Sequence, residues 1–396
     1  MSFGNEGGAT GQRPRVLVAA DHYLPGVNGG GPIRSIAAIV RALGNEVDFR
    51  VVTRDRDLGA TEPYRDVVAG AWTSHEETRV FYCPEGEPSL ATWQRLIHET
   101  CPDVVYLNSF FSPRFSIAPL LVRRRGKAPG VRFVLAPRGE LHPGALALKR
   151  PKKEAFLRLS RALGLLRGVV WHATVPEEAE QIRRWFGVRA LAGVAPVLAG
   201  RVPGERSAAA RKRPGVLEVA FLSRISPKKN LLGAIELLSD VAGDVRFNVY
   251  GPKEDADYWQ RCRRALDALP ANVTVRDHGP VEGEKVTAAL AGNHVLLFPT
   301  HGENFGHVVL EALLAGVPVL TSDQTPWRDL ELHAAGWDLP LTRPQAFRDK
   351  LAELVAMDGA EHARWSRGAR RLGLAYAEDR EAVARNRALF VGDVAA

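Results

Sequence analysis

Short runs of Val, Leu and Phe alternate with longer segments of helical period along this chain, and the alternation is run through twice. The first half offers VLVAA (16–20), DFRVVT (48–53), VVYLNS (104–109), RFVLAP (132–137) and VVWHAT (169–174), with helical segments such as RSIAAIVRALG and EEAEQIRRWFG between them. Continuous apolar runs separated by helices indicate parallel strands, which need a crossover to return and are covered on both faces. The stretch GRVPGERSAAARKRPG (200–215) lacks an apolar period and reads as a linker. The pattern then restarts with LEVAFLSR (217–224), VRFNVYGP (245–252), NVTVRDHG (272–279), HVLLFPT (294–300) and VPVLTSD (317–323). At 396 residues the chain exceeds a usual single core. The expectation is an α/β architecture of two Rossmann-like, doubly wound parallel-sheet domains, residues 1–200 and 201–396, facing across a cleft. The segment from Trp365 to Phe390 reads as one long helix, whose end, about 377–396, is placed to pack back on the first domain.

Charge narrows the partners. Residues 1–200 carry 27 Lys and Arg against 19 Asp and Glu, a balance of +8, and residues 201–396 carry 26 of each. Within 101–170 the excess is 14 basic over 3 acidic side chains. Such a segment attracts anions. The aromatic-and-basic strips of RNA-binding modules and the zinc-finger spacing are absent, so nucleic acid is disfavoured. An anionic membrane surface, a phosphate-bearing lipid acceptor and a plainly solvated face all account for the charge. Ala155, Phe156, Leu159, Leu163 and Leu166 recur at helical spacing there, which suits either peripheral membrane contact or ordinary packing. The chain begins MSFGNEGGATGQRPR, without an apolar leader core, and no later run approaches a membrane span. A cytoplasmic location, with peripheral association at the inner face of the membrane, is the expectation. Cys83, Cys101 and Cys262 are scattered and lack C-x-x-C spacing, so neither a disulfide framework nor a zinc site is indicated.

Ligands of doubly wound sheets bind at the carboxyl ends of the strands, so the strand-to-helix junctions carry the chemistry. In FPTHGENFGHVVLEALLAGVPVLTSD (298–323) a strand ends at Pro299, a polar loop follows, and a helix is predicted from about Phe305 to Ala315. Glu303 and Glu311 have seven residues between them, and helical side chains lean toward the helix start, so both can face one space. Gly306 permits close approach of a ligand, and first-turn amides offer an anion site. In LSRISPKKN (222–230), Arg224 and Lys229 make a basic pair suited to a diphosphate. The turn YLPGVNGGGPIRS (23–35), with Gly29, Gly30 and Gly31, does not match the dinucleotide fingerprint. The pairs Asp55/Asp57 and Asp255/Asp257 have a metal-binding look but read as loop and helix-start acids.

Taken together, these three elements resemble glycosyltransferase family 4 of the GT-B fold over almost the whole chain. TRDRDLG (53–59), APRGELHPGALALK (136–149) and ENFGHVVLEALLAGVPVLTSDQTPWRDL (303–330) are similar to members that build bacterial cell-surface polysaccharides. The resemblance implies a retaining transferase with no required metal or cofactor. It implies that Arg224 and Lys229 hold the donor diphosphate, Glu311 the ribose and Glu303 the sugar hydroxyls. It further implies backbone contacts from Gly30, Gly31, Asn304, Phe305, Gly306 and His307. The partners would be a UDP- or GDP-hexose and a glycan or lipid-linked acceptor. In PRGELHPG (137–144), Arg138, Glu140 and His142 are candidates on the acceptor side, or else parts of a structural turn. His172 reads as a core or strand-end residue, and His22, beside the glycine turn, has the same standing. Two rival readings are a sugar-nucleotide epimerase of similar fold, which would need acid/base groups at the sugar ring, and a non-catalytic interaction protein descended from an enzyme. The intact Arg224, Lys229 and Glu311 weigh against the second.

Overall fold

The computed structural model describes residues 13–76, 78–147, 150–187, 192–202, 211–281 and 283–391. The middle of the expected linker (203–210), Lys149 of the basic segment, the first twelve residues and residues 392–396 lie outside the described residues.

Among the described residues, the first half holds β1 (Arg15–Ala20), β2 (Asp48–Arg54), β3 (Trp72–His75), β4 (Thr78–Cys83), β5 (Val104–Asn108), β6 (Arg132–Ala136), β7 (Val170–Ala173) and β8 (Ala192–Val194). Its helices are α1 (Gly31–Leu43), α2 (Leu90–Thr100), α3 (Ala118–Arg124), α4 (Pro143–Ala147), α5 (Arg150–Ala162) and α6 (Pro176–Phe186). The strands form one sheet in the order β3-β4-β2-β1-β5-β6-β7-β8, parallel except for the β3–β4 hairpin. The second half holds β9 (Val216–Leu222), β10 (Asp244–Tyr250), β11 (Val273–Gly279), β12 (Val295–Phe298), β13 (Val319–Ser322) and β14 (Gly336–Leu339). They form a parallel sheet in the order β11-β10-β9-β12-β13-β14. Helices α7 (Leu231–Leu238), α8 (Ala256–Asp267), α9 (Val286–Ala291), α10 (His307–Ala315), α11 (Pro344–Ala356) and α12 (Gly359–Ala377) accompany it, and α13 (Arg380–Ala388) ends the described chain against α1.

Strand order reverses between β1 and β5 in the first sheet and between β9 and β12 in the second. Crevices of this kind take ligands. Each half has its own core: Val219, Phe221, Phe247 and Phe298 in the second, and two clusters on opposite faces of the first sheet, around Trp93, Phe115 and Trp171 and around Val18, Ile36 and Tyr106. In α1, Ile33, Ile36, Ile39, Val40 and Leu43 turn one stripe onto the sheet. Helix α10 is apolar all round except at His307 and Glu311, which suits a helix enclosed between the sheet and α12.

The expected single helix over 365–390 is two. Helix α12 ends at Ala377, and the carboxylate of Asp379 then accepts from the amides of Glu381 and Ala382 to cap α13. A capping acid competes with helix continuation by offering the backbone another partner. The break redirects the chain: Ala382, Leu389 and Phe390 join the core of the first sheet, and Arg132 donates to the carbonyls of Leu389 (3.1 Å) and Phe390 (3.0 Å).

Candidate active site

A cleft of about 320 Å³ lies between the sheets, floored by the ends of β9 and β12 and roofed by the glycine turn before α1. Among the described residues its charged lining is Arg34, Arg138, Arg224, Lys228 and Lys229 against Glu303, five cations to one carboxylate. Gly30, Gly31, Asn304, Phe305, Gly306 and His307 line the same space.

The loops build this arrangement from each other. Pro227–Lys229 makes a single 3-10 turn, and Asn230, left-handed at φ 59°, starts α7. Asn230 Nδ2 donates to the Pro299 carbonyl (2.8 Å), and the Lys228 carbonyl accepts from the His301 backbone amide (2.9 Å) and Thr300 Oγ1 (3.1 Å). The basic loop is thereby fastened to the acidic one, and Lys229 forms an ion pair with Glu303. Burial pulls the Lys228 ammonium below its ordinary pKa, with Glu303 opposing. Arg224 donates to Glu254 (2.8 Å) at the more open edge.

Helix α10 begins two residues later than the apolar pattern suggests. Gly306 is its N-cap at φ 80°, a left-handed conformation that favours glycine. Gly306, His307 and Val308 line the cleft, so the start of this helix borders it, and free first-turn amides suit an anion. Behind the loop, Trp327 Nε1 donates to the Phe305 carbonyl (2.6 Å), and Tyr376 of α12 packs on both rings.

Contacts across the cleft were not visible in the sequence. Arg34 of α1 donates from Nη1 to both oxygens of Glu311 at 2.5 and 2.6 Å. Glu311 therefore stands behind Arg34 rather than on the open wall of the cleft. Burial raises its carboxyl above the ordinary value, and Arg34 opposes this. His307 Nε2 bonds Ser35 Oγ at 3.0 Å, and burial, with Arg34, Arg138 and Lys229 nearby, lowers the ring to about 3. Asn304 donates to Thr174 Oγ1 (2.9 Å), which in turn donates to Glu178. Gly139 permits the approach: its φ is 78°, and a Cβ there would lie 2.9 Å from Asn304 Cβ.

The three acceptor-side candidates separate. Arg138 lines the cleft in a left-handed conformation (φ 56°) and donates to Tyr106 Oη (2.8 Å) and Asn108 Oδ1 (2.7 Å), while its buried Nη1 has no partner. His172 holds this arrangement. Its Nε2 meets the Ala195 carbonyl (2.9 Å), which only accepts, so Nε2 carries the proton and Nδ1 accepts from Tyr106 Oη (2.7 Å). The Tyr106 oxygen is left to receive Arg138. Burial takes His172 down to about 3, which keeps it in the neutral form this relay requires. Glu140 does not line the cationic cleft but the neighbouring cavity; its carboxylate accepts from Ser109 Oγ (3.0 Å) and the amides of Phe110 (2.5 Å) and Phe111 (3.1 Å), clamping that loop. His142 is exposed, accepts from the Gly144 amide (3.2 Å) and lines neither that cleft nor the neighbouring cavity. Of the two Asp pairs, Asp55 pairs with Arg56, Asp57 accepts from the amides of Val27 and Asn28, and Asp255 caps α8, with Asp257 in that helix's first turn.

Residues 205–372 match the family model described as "Glycosyl transferases group 1", and residues 30–196 match the "Glycosyl transferase 4-like domain". The chain belongs to glycosyltransferase family 4, with the GT-B fold. A D-inositol 3-phosphate glycosyltransferase of Xylanimonas cellulosilytica is 29% identical over 230 residues, 54% of each chain. A GDP-mannose-dependent alpha-mannosyltransferase of Mycobacterium tuberculosis is 30% identical over 175 residues, 43% of this chain and 42% of that one. The matches thus span about half or less of these relatives' lengths. Among solved structures, sucrose-phosphate synthase of Thermosynechococcus elongatus superposes with a TM-score of 0.67 at 15% identity, covering 96% of this chain and 98% of that one. HepE of Anabaena in complex with UDP-glucose gives 0.66 at 17% identity, covering 94% and 97%. These two share the fold.

Proposed function

We propose that this chain is a retaining, metal-independent glycosyltransferase that moves a hexose-type sugar from a UDP- or GDP-sugar to a glycan or lipid-linked acceptor in cell-surface polysaccharide synthesis. The observation that carries the reading is the convergence of five cationic side chains and the start of α10 on one cleft, with Glu303 among them. Fixed cations and helix amides stabilise a departing diphosphate as a divalent ion would. The names of the relatives, which include a GDP-mannose-dependent enzyme, and the UDP-glucose in the HepE complex support a nucleotide-sugar donor.

In this reading Arg224 and Lys229 hold the diphosphate, Glu303 the hydroxyls of the transferred sugar and Glu311 the ribose once Arg34 gives way. The acceptor oxygen bonds to the anomeric carbon on the face from which the diphosphate leaves. The acceptor proton passes to a phosphate oxygen of the leaving nucleotide, so no enzymic nucleophile is required. Peripheral membrane contact would fall on Leu159 and Leu163, 57% and 52% exposed beside the exposed Lys152, Arg158 and Arg161; co-sedimentation with liposomes, rising with their anionic lipid content, checks it. No helix of the described residues is long and apolar enough to cross a membrane.

A thermal-shift screen against UDP, GDP and their sugar conjugates in EDTA tests the donor site. Stabilisation by one nucleotide in wild type, lost in Lys229→Ala, supports the reading; dependence on added Mg²⁺, or no stabilisation by any nucleotide, removes it.

A further inference from the structure

Arg34 stands at the seam of the two domains. It lies in the first turn of α1, directly after the glycine turn that roofs the cleft, and it lines that cleft whereas its partner Glu311 does not. The turn is seated between two loops of the second domain: a Cβ on Gly30 would lie 3.7 Å from Arg224 Nε, and one on Gly31 would lie 3.2 Å from His307 Cδ2. Ser35, the next residue, bonds His307 (3.0 Å). The Arg34 side chain is thereby carried into the space that Arg224, Lys228 and Lys229 line from the other domain.

Its guanidinium is engaged on one side. Nη1 alone meets both oxygens of Glu311, at 2.5 and 2.6 Å. Among the described residues Nε and Nη2 have no partner, and neither is among the nitrogens buried without one. A guanidinium presents five N–H donors in a plane, and a carboxylate or phosphate takes two of them in parallel. The other cations of the cleft are placed differently. Arg224 pairs with Glu254 and Lys229 with Glu303, both within the second domain, Arg138 donates to Tyr106 and Asn108 within the first, and Lys228 is exposed beside its neighbours. Of these five, Arg34 takes its carboxylate from the opposite domain.

Two demands therefore meet at Glu311. Ribose hydroxyls donate to an ionised carboxylate, but Arg34 holds both of its oxygens and separates it from the cleft. A diphosphate arriving in the cleft offers Arg34 acceptor oxygens of the same fork geometry. The exchange then leaves no charge stranded: Arg34 passes from carboxylate to phosphate, and Glu311 from guanidinium to ribose hydroxyls. With Arg224 and Lys229 on the same diphosphate, Arg34 joins the domains in either state, through Glu311 when the site is empty and through the phosphates when it is loaded. A nucleoside without phosphate offers Arg34 nothing and has to compete with it.

We infer that Arg34 is a donor-binding residue that exchanges partners, holding Glu311 in the empty site and the donor diphosphate in the loaded one, so that the site admits ribose readily only with its phosphates attached. The inference rests on the glycosyltransferase reading above. It is tested at pH 8 in EDTA on the full chain, by NMR titration with uridine and guanosine and by calorimetry with UDP and GDP, in wild type, Arg34→Met, Arg34→Lys and Lys229→Ala. In Arg34→Met the nucleoside should bind about fivefold more tightly, because the competing guanidinium is gone. Its diphosphate should bind more weakly, so that the preference for diphosphate over nucleoside falls about tenfold or more. Arg34→Lys keeps a charge for the phosphates without the planar fork, so it should gain nucleoside affinity and lose less of that preference; it decides alone should Arg34→Met not fold. Lys229→Ala should weaken the diphosphate with no gain for the nucleoside. Nucleoside affinity unchanged or lowered in the Arg34 variants, or an unchanged preference in Arg34→Met, overturns the inference. Failure of wild type to bind either diphosphate is a different result and removes the transferase reading beneath it.

Discussion

Burial holds His172 and His307 near 3, far below an ordinary imidazole, and this fixes the sign of a pH effect. An unfolded chain protonates each ring at about 6.5. Between there and about 3 the unfolded state therefore binds more protons, and stability falls as pH drops. The contribution is complete above about pH 6.5 and declines by about 1.4 kcal/mol per pH unit for each ring below it. Urea denaturation of wild type and His172→Gln at pH 7.5, 6 and 5 should show the variant's slope smaller by about that amount; parallel profiles would remove His172 from the account. The same residue shows how far reading by residue type reaches. VVWHAT marked it as a core or strand-end histidine, but its partnership with Tyr106, 66 positions away, is a product of the sheet. Glu140, which lines the cavity neighbouring the cationic cleft, shows another side of that limit. An acid in a polar loop looks available, and only the fold brings the amides of Phe110 and Phe111 onto it.

At the scale of elements, buried parallel strands were legible because continuous apolar runs have few other uses. Of the four strands that escaped notice, three lie at sheet edges: β3 carries Trp-Thr-Ser-His, β8 has three residues, and β14 begins at Gly336 with φ 146°; the fourth, β4, is buried and parallel to β2, but its apolar run is only Val80–Cys83 behind Thr78 and Arg79. Edge strands are short and only partly covered, so their composition resembles loops. The helix break at Asp379 escaped for another reason, since Trp365–Phe390 keeps its helical composition across it. Its consequence is testable. Phe390 meets Phe49 at 5.5 Å and Tyr106 at 5.1 Å between ring centroids, edge-on to both. Phe390→Ala should cost about 3–5 kcal/mol, whereas Asp379→Ala, which loses only a cap, should cost about 1 kcal/mol. Urea midpoints that order the two variants the other way would mean that α13 contributes through its capped turn and not through docking.

Across the whole molecule, Arg34 and Glu311 join the two sheets' helices directly, 277 positions apart in sequence. Neither partner announced the pairing, because an arginine on an amphipathic helix usually belongs to a solvated face. The pair is only partly exposed, 29% at Arg34 and 19% at Glu311. Removing the cation leaves a carboxylate in surroundings that already raise its pKa, and without Arg34 that rise has less to oppose it. A raised carboxyl binds its proton more tightly folded than unfolded, so the penalty is small below about pH 4.5 and grows as pH climbs through the folded value. Arg34→Met should therefore lose about 2 kcal/mol at pH 8, less than the loss from breaking a fully buried pair, and distinctly less at pH 5. In a Glu311→Gln background the same substitution should cost little at either pH. Measured as a double-mutant cycle in urea at both pH values, a pH-independent loss, or an equal loss in both backgrounds, would show that Arg34 acts by packing alone and that the two domains are not held together through this charge pair.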